Sequence, residues 1–209
     1  MMISPESYYE QFLKGKTAEE IRKIIEDLKY ELNRLTNAKK DRYDINREPS
    51  NEYSLTREYL DRAINALKEA GGIYIPSDEE QECLSYVENI SHINKIKFTS
   101  GGYFGGYKTT IFTFIYNKVY VKTIDANAEE GLMNLGQRSA ISKEEILDGI
   151  KRLHIFEWQR SYYNGHVYDG HQWGLDIIFS NGRKPFISSG SNAYPYNYHD
   201  FLVLLGLAR

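Results

Sequence analysis

The apolar periodicity of this chain changes once, near residue 92, and that change limits what it can fold into. Before it, Ile21, Ile24, Ile25, Leu28, Leu32 and Leu35 recur at steps of three and four with one adjacent pair. That is an amphipathic stripe with a period near 3.6 residues. After it, Trp173, Leu175, Ile177 and Phe179 alternate with their neighbours, the period of a strand with one buried face. Helices followed by hairpins read as an α+β fold with an antiparallel sheet.

Caps divide the helical half. Ser4-Pro5 is an N-cap followed by proline at the first helical position, and Gly15 is placed to end that helix beyond Lys14. Thr17 and Glu20 form a capping box that opens a helix expected over residues 18–41. Its stripe spans barely three heptads and needs a cover. The cover is the next helix or the helix of a second copy, which would give a helix-mediated homodimer. Pro49-Ser50 breaks the pattern, and a third helix carries Tyr59, Leu60, Ala63, Ile64 and Leu67 on one face before Gly71-Gly72. Ser77 and Glu80 form a second box ahead of Cys83, Leu84 and Val87. Residues 1–91 are thus expected to be a helical region of about four helices.

Residues 92–209 are expected to be an antiparallel α+β domain of five to six strands and two helices. Strands are predicted over 95–100, 108–116, 119–124, 156–163, 172–180 and 183–189. Asn117-Lys118 and Asn181-Gly182 supply hairpin turns. Strand 109–116 is apolar on both sides, with Ile111 and Ile115 opposite Phe112, Phe114 and Tyr116. Such a strand is expected to be central and covered twice, on one side by the N-terminal helices. A third capping box, Ser142 with Glu145, opens a helix bearing Ile146, Ile150 and Leu153. A closing helix is predicted over 198–205.

Composition removes several function classes. The 209 residues are 41% hydrophobic and 26% charged, as in globular chains and unlike disordered ones. No apolar run is long enough for a membrane span, and residues 1–10 lack the apolar core of a secretory signal. A single cysteine, Cys83, leaves no disulfide framework or cysteine-rich zinc site. A cytoplasmic protein without a cofactor is the expectation. Net charge is −3 and unevenly spread: residues 49–91 hold three basic and nine acidic side chains, residues 92–209 thirteen and ten. The acidic stretch, with Glu79, Glu80 and Glu82, suits a basic protein surface or simply a solvated helix face. Tyrosine is abundant at 18, beside 21 Ile and 14 Asn. Recognition surfaces favour Tyr, and AT-rich codons favour all three residues.

The candidate sites each have a structural reading beside a functional one. Gly101-Gly102-Tyr103-Phe104-Gly105-Gly106-Tyr107 lacks the lysine end of a phosphate loop. It is a bulged hairpin, or a tip that holds out Tyr103, Phe104 and Tyr107 as partner anchors. Asn192, Tyr194 and Tyr196 form a turn or a recognition patch. His166, Asp169 and His171, with Asp176 and His199 elsewhere, are the weak candidates for a metal. Phe112, Phe114, Tyr116 and Tyr120 with Lys97, Lys108, Lys118 and Lys122 could stack and neutralise nucleic acid, or fill a core. No nucleophile elbow is present.

Asp169-Gly170-His171-Gln172-Trp173-Gly174-Leu175-Asp176-Ile177, Asn181-Gly182 and Gly190-Ser191-Asn192-Ala193-Tyr194-Pro195 resemble a domain of uncharacterised proteins from low-GC bacteria. Its pattern is Asp-Gly-x-Gln-Trp-x-Leu-x-Ile, a hairpin, Gly-Ser-Asn-x-Tyr-Pro and a closing helix. The resemblance covers about residues 92–209 and implies no activity; His171 stands where that pattern has Thr. The build also resembles phage or mobile-element products that bind a host protein, anti-CRISPR inhibitors among them, an analogy of fold alone. The expected function is a non-enzymatic protein-binding protein, in its specific form an inhibitor of a host defence protein. The alternatives are a metal-dependent hydrolase or nuclease and a nucleic-acid-binding sheet.

Overall fold

A computed structural model describes residues 3–37, 51–102, 105–125, 136–166 and 170–208. The chain divides into two compact units, Met1–Ser77 and Asp78–Arg209. In the first, helix α1 (Pro5–Tyr8) runs on into a π-type turn, Tyr9–Leu13. Helices α2 (Ala18–Asn37) and α3 (Asn51–Glu69) follow. The caps act as their residues dictate. Ser4 Oγ accepts from the Ser7 N–H at 3.1 Å, and the Glu20 carboxylate accepts from the Thr17 N–H at 2.8 Å. Gly71, at φ +75°, ends α3, and the Gly72 N–H donates to the Leu67 carbonyl at 2.8 Å. The α2 stripe is buried through Ile21, Ile25, Leu28 and Leu32. Its cover is α3 of the same chain, where Tyr53, Leu60, Ala63 and Leu67 are buried. Helix α1 docks on α3 by stacking Tyr8 on Tyr59, with ring centroids 4.1 Å apart.

The second unit begins with α4 (Asp78–Glu88). Strands β1 (Ile93–Gly102), β2 (Gly106–Ile115), β3 (Lys118–Asp125) and β4 (Gln137–Arg138) follow. Then come α5 (Lys143–Arg152), β5 (Ser161–Tyr163), β6 (His171–Phe179), β7 (Phe186–Ser191) and α6 (Tyr198–Leu204). They form one sheet in the order β4-β3-β2-β1-β6-β7-β5, antiparallel except for the β5–β7 pair.

Three expectations need correction. The first unit holds three described helices, where four were expected before the sheet. Helix α4 packs with the sheet because Tyr86 stacks on Phe156 and Phe179, at 5.2 and 5.7 Å, and meets Phe186 edge-on. The sheet has seven strands where five to six were expected; the addition is the two-residue edge strand β4, which has no alternating pattern of its own. Residues 156–163 are not one strand. Ile155–Glu157 is a 3₁₀ turn that buries Ile155 and Phe156, and only Ser161–Tyr163 pairs with the sheet.

One sheet face carries the core. Ile96, Phe98, Phe112, Phe114, Val119, Trp173, Leu175 and Ile177 pack with Ile146 and Ile150 of α5 and Phe201 of α6. Burial of each such side chain stabilises the fold by roughly 1.5–3 kcal/mol. Strand β1 occupies the middle of the sheet, the place expected for β2. On the opposite face β2 buries Ile111, only 1% exposed, so this strand is apolar inside on both sides as its sequence requires. Among the described residues, no helix is long and apolar enough to cross a membrane.

Candidate functional site

The motif residues of the second unit hold one another. The Trp173 indole N–H donates to the Ala193 carbonyl at 2.9 Å. A Cβ on Gly190 would collide with that indole nitrogen and that carbonyl, so the strand beneath Trp173 must be glycine there. Asn192 adopts the left-handed conformation at φ +54°, which Asn tolerates better than most residues. Its N–H donates to the His171 carbonyl at 2.9 Å, and its amide lies where a Cβ on Gly170 would be. The Tyr194 hydroxyl meets His171 Nδ1 at 3.1 Å, and its ring packs 4.8 Å from Tyr198. Asn197, fully buried, accepts from the Trp158 indole N–H at 2.8 Å and donates to the Leu153 carbonyl. Burial holds the His171 imidazole below its ordinary range and pushes the Tyr162 phenol up to about 12. Asn192 and Tyr194 are thus built into the turn that closes the sheet. Tyr196 is half-buried beside them.

The other expected residues are scattered. Glu82 accepts from Arg160 at 2.8 Å, while Arg183 lies over the Tyr86 ring at 4.1 Å. Glu79 and Glu80 occupy the first turn of α4, where carboxylates favour the helix dipole. His166 is exposed in a turn, its backbone N–H on Asn164. Asp169, Tyr103 and Phe104 lie outside the described residues. Among the described residues, no group of three or more His, Cys, Asp or Glu is placed to hold a metal ion. The Cys83 thiol donates to the Phe156 carbonyl at 3.0 Å. A shallow cleft of about 590 Å³ borders β3, β4 and the end of α6, and its titratable lining residues are Lys122 and Arg138.

The aromatic face expected on β2 and β3 is divided. Phe112 and Phe114 point into the core, and Tyr116 sits in the hairpin turn at φ +53°. Register places Tyr120 opposite Thr113, on the face away from the core. That outer face has a readable map. Arg138, Tyr120, Thr113 and Lys95 form one row across the strands. Lys122, Ile111, Lys97, Asp176 and Ile187 form the next. Thr109, Thr99, Gly174, Ser189 and Ser161 follow. The last row holds Tyr107, Gly101, Gln172, Ser191 and Tyr163. The Tyr107 hydroxyl donates to Gln172 Oε1 at 2.9 Å, tying β2 to β6 across β1. A Cβ on Gly174 would meet no heavy atom within 4 Å, so the space above it is open.

Sequence reasoning missed this face because its rows join strands far apart in the chain. The alternation within β2 and β7 carried part of the signal, in Thr109-x-Ile111-x-Thr113 and Ile187-x-Ser189-x-Ser191. Comparison with family models, with characterised proteins and with solved structures finds no match.

Proposed function

We propose that this chain is a non-enzymatic binding protein that presents the β6–β7–β5 half of its outer sheet face to a protein partner. The observation that carries the reading is the exposure of Tyr163 at 77% and Ile187 at 51% on one face of a rigid sheet. Between them lies a floor of Ser161, Ser189, Ser191 and Gly174. Tyr107, 36% exposed, stands at the far end of the Tyr163 row. Rigid aromatic anchors over small, hydrogen-bonding residues are the composition of protein-recognition surfaces. The reading needs no reaction centre, since the motif histidine and asparagine already serve the closing turn. In its specific form this is a host-directed inhibitor of the anti-CRISPR kind; Glu79 and Glu80 lie on α4, whose Tyr86 packs on the core side of the sheet, and take no part in this surface.

The test is affinity capture from the native host with the full chain and with Tyr163→Ala/Ile187→Ser. The expected result is a discrete partner at fixed stoichiometry, whose retention falls at least about tenfold in the variant while its circular dichroism and melting are unchanged. Undiminished capture by the folded variant contradicts the reading.

A further inference from the structure

Strand β5 stands at one end of the sheet, and among the described residues no strand lies beyond it. Its ladder to β7 is parallel. The Ser189 N–H donates to the Arg160 carbonyl at 3.1 Å, and the Asn164 N–H donates to the Ser191 carbonyl at 3.0 Å. In this register Tyr162 turns its own N–H and carbonyl toward β7, while Ser161 and Tyr163 turn theirs the other way. Ser161 is exposed, and Tyr163 is 77% exposed. Edge strands are commonly blunted by lysine, by proline or by an inward-pointing charge; Ser161-Tyr162-Tyr163 carries none of these. The Tyr162 ring lies 5.9 Å from Trp173, and its hydroxyl accepts from the Gln159 N–H at 2.9 Å. The edge is therefore anchored from the core side and open on its outer side.

We propose that the protein partner is held as an extended segment that adds a strand to the outer edge of β5. This rests on the reading of the β6–β7–β5 half as the binding surface and names what that surface takes. The outward N–H and C=O groups of Ser161 and Tyr163 match the backbone of another strand, whereas a helix uses its own backbone groups internally. Alternate side chains of the added segment fall on the outer face. One stands beside Tyr163, where an aromatic or β-branched residue packs best. Another, two residues along and roughly 6.6 Å away, stands beside Ser161, at the floor that Ser189 continues toward Ile187. A second copy could offer its own β5 to the same edge. Two edges of three residues each bury far less than the roughly 1,200 Å² of a stable dimer, which favours a pliant segment that also lies over Ser189 and Ile187.

The experiment selects a phage-displayed library of random linear peptides on the full chain and measures the selected sequences as labelled synthetic peptides by fluorescence anisotropy. Expected are proline-free peptides with aromatic or β-branched residues at alternate positions. Ser161→Pro removes one outward N–H and no ladder bond, and weakens them at least about fivefold; Ser161→Ala binds within about twofold. Methylating alternate backbone nitrogens of a peptide abolishes binding in one frame and is tolerated in the other. Bound peptide slows hydrogen exchange at the Ser161 and Tyr163 amides and leaves Tyr162 unchanged. Where Ser161→Pro melts early, the methylation frames and the exchange decide. Recovery of no binding peptide, equal binding by a folded Ser161→Pro chain, equal tolerance of methylation in both frames, or unchanged exchange at Ser161 and Tyr163 overturns the proposal. So does a concentration-dependent dimer that Ser161→Pro dissociates, which gives the edge to a second copy. Host-partner capture that is lost in Tyr163→Ala/Ile187→Ser and kept in folded Ser161→Pro overturns the edge alone; capture kept in both overturns the binding surface as well.

Discussion

The Trp173 indole, Gly190 and Ala193 show how a motif-like string can be a packing device. Trp173 needs its N–H satisfied because an indole N–H buried without an acceptor costs about 1–3 kcal/mol. The Ala193 carbonyl can reach it only because Gly190 has no side chain. Gly190→Ala is therefore expected to lower stability by roughly 1–3 kcal/mol, the usual range for overpacking a filled site. Urea midpoints at constant m-value measure this; an unchanged midpoint would show that the indole can move aside. His171 makes a second residue-scale case. Burial lowers its imidazole below the ordinary 6.5, so the unfolded chain takes up a proton there before the folded chain does. The folded state carries no penalty from this group above about pH 6.5. It loses stability as pH falls below that, until the folded imidazole also protonates. His171→Gln is expected to flatten the decline in urea midpoint between about pH 7.5 and about pH 5.5. Identical declines in the two proteins would refute the assignment.

Helix α5 illustrates what a single element can disclose. Ser142 Oγ accepts from the Glu145 N–H at 3.2 Å, and the Glu145 carboxylate accepts from the Ser142 N–H at 2.7 Å. The Ser142 N–H and hydroxyl, both donating to it, hold the Glu145 carboxyl below the usual carboxylate range. Ser142→Ala is expected to cost about 1 kcal/mol, as other lost N-caps do; no measurable loss in a denaturant titration would mean the box is idle. Caps and periodicities act within a few residues, which is why α1, α2, α3 and α5 and the alternating β6 were legible in the sequence. Helix α4 was legible as a helix and not as a member of the second unit. Its allegiance depends on Tyr86 meeting Phe156, Phe179 and Phe186, residues 70 to 100 positions later. The two-residue β4 and three-residue β5 exist only through their partners in the ladder. Asn197 was invisible for a related reason, since a lone buried amide has no period. Of the aromatic candidates, alternation did place Phe112 and Phe114 together, and only the β1–β6 pairing showed which face was the core.

At the scale of the whole molecule, the core that organises the sheet is drawn entirely from residues of the second unit, from Tyr86 to Leu205. A sheet filled on one side by its own helices leaves Tyr163, Ile187 and the space above Gly174 exposed on the other. Sequence order hides that surface, because β1 pairs with β6 across a long stretch of chain. Its two halves differ in charge, cationic on β1–β4 and nearly neutral with Tyr163 and Ile187 on β6–β7–β5. The account's central claim is that the outer face, and not the helical side, meets the protein partner. Site-specific photo-crosslinking in the native host tests this most directly, with a benzophenone amino acid in place of Tyr163 or in place of Val203, which is 48% exposed on α6. The account predicts a discrete protein adduct from position 163 and none from position 203; the reverse pattern would contradict it.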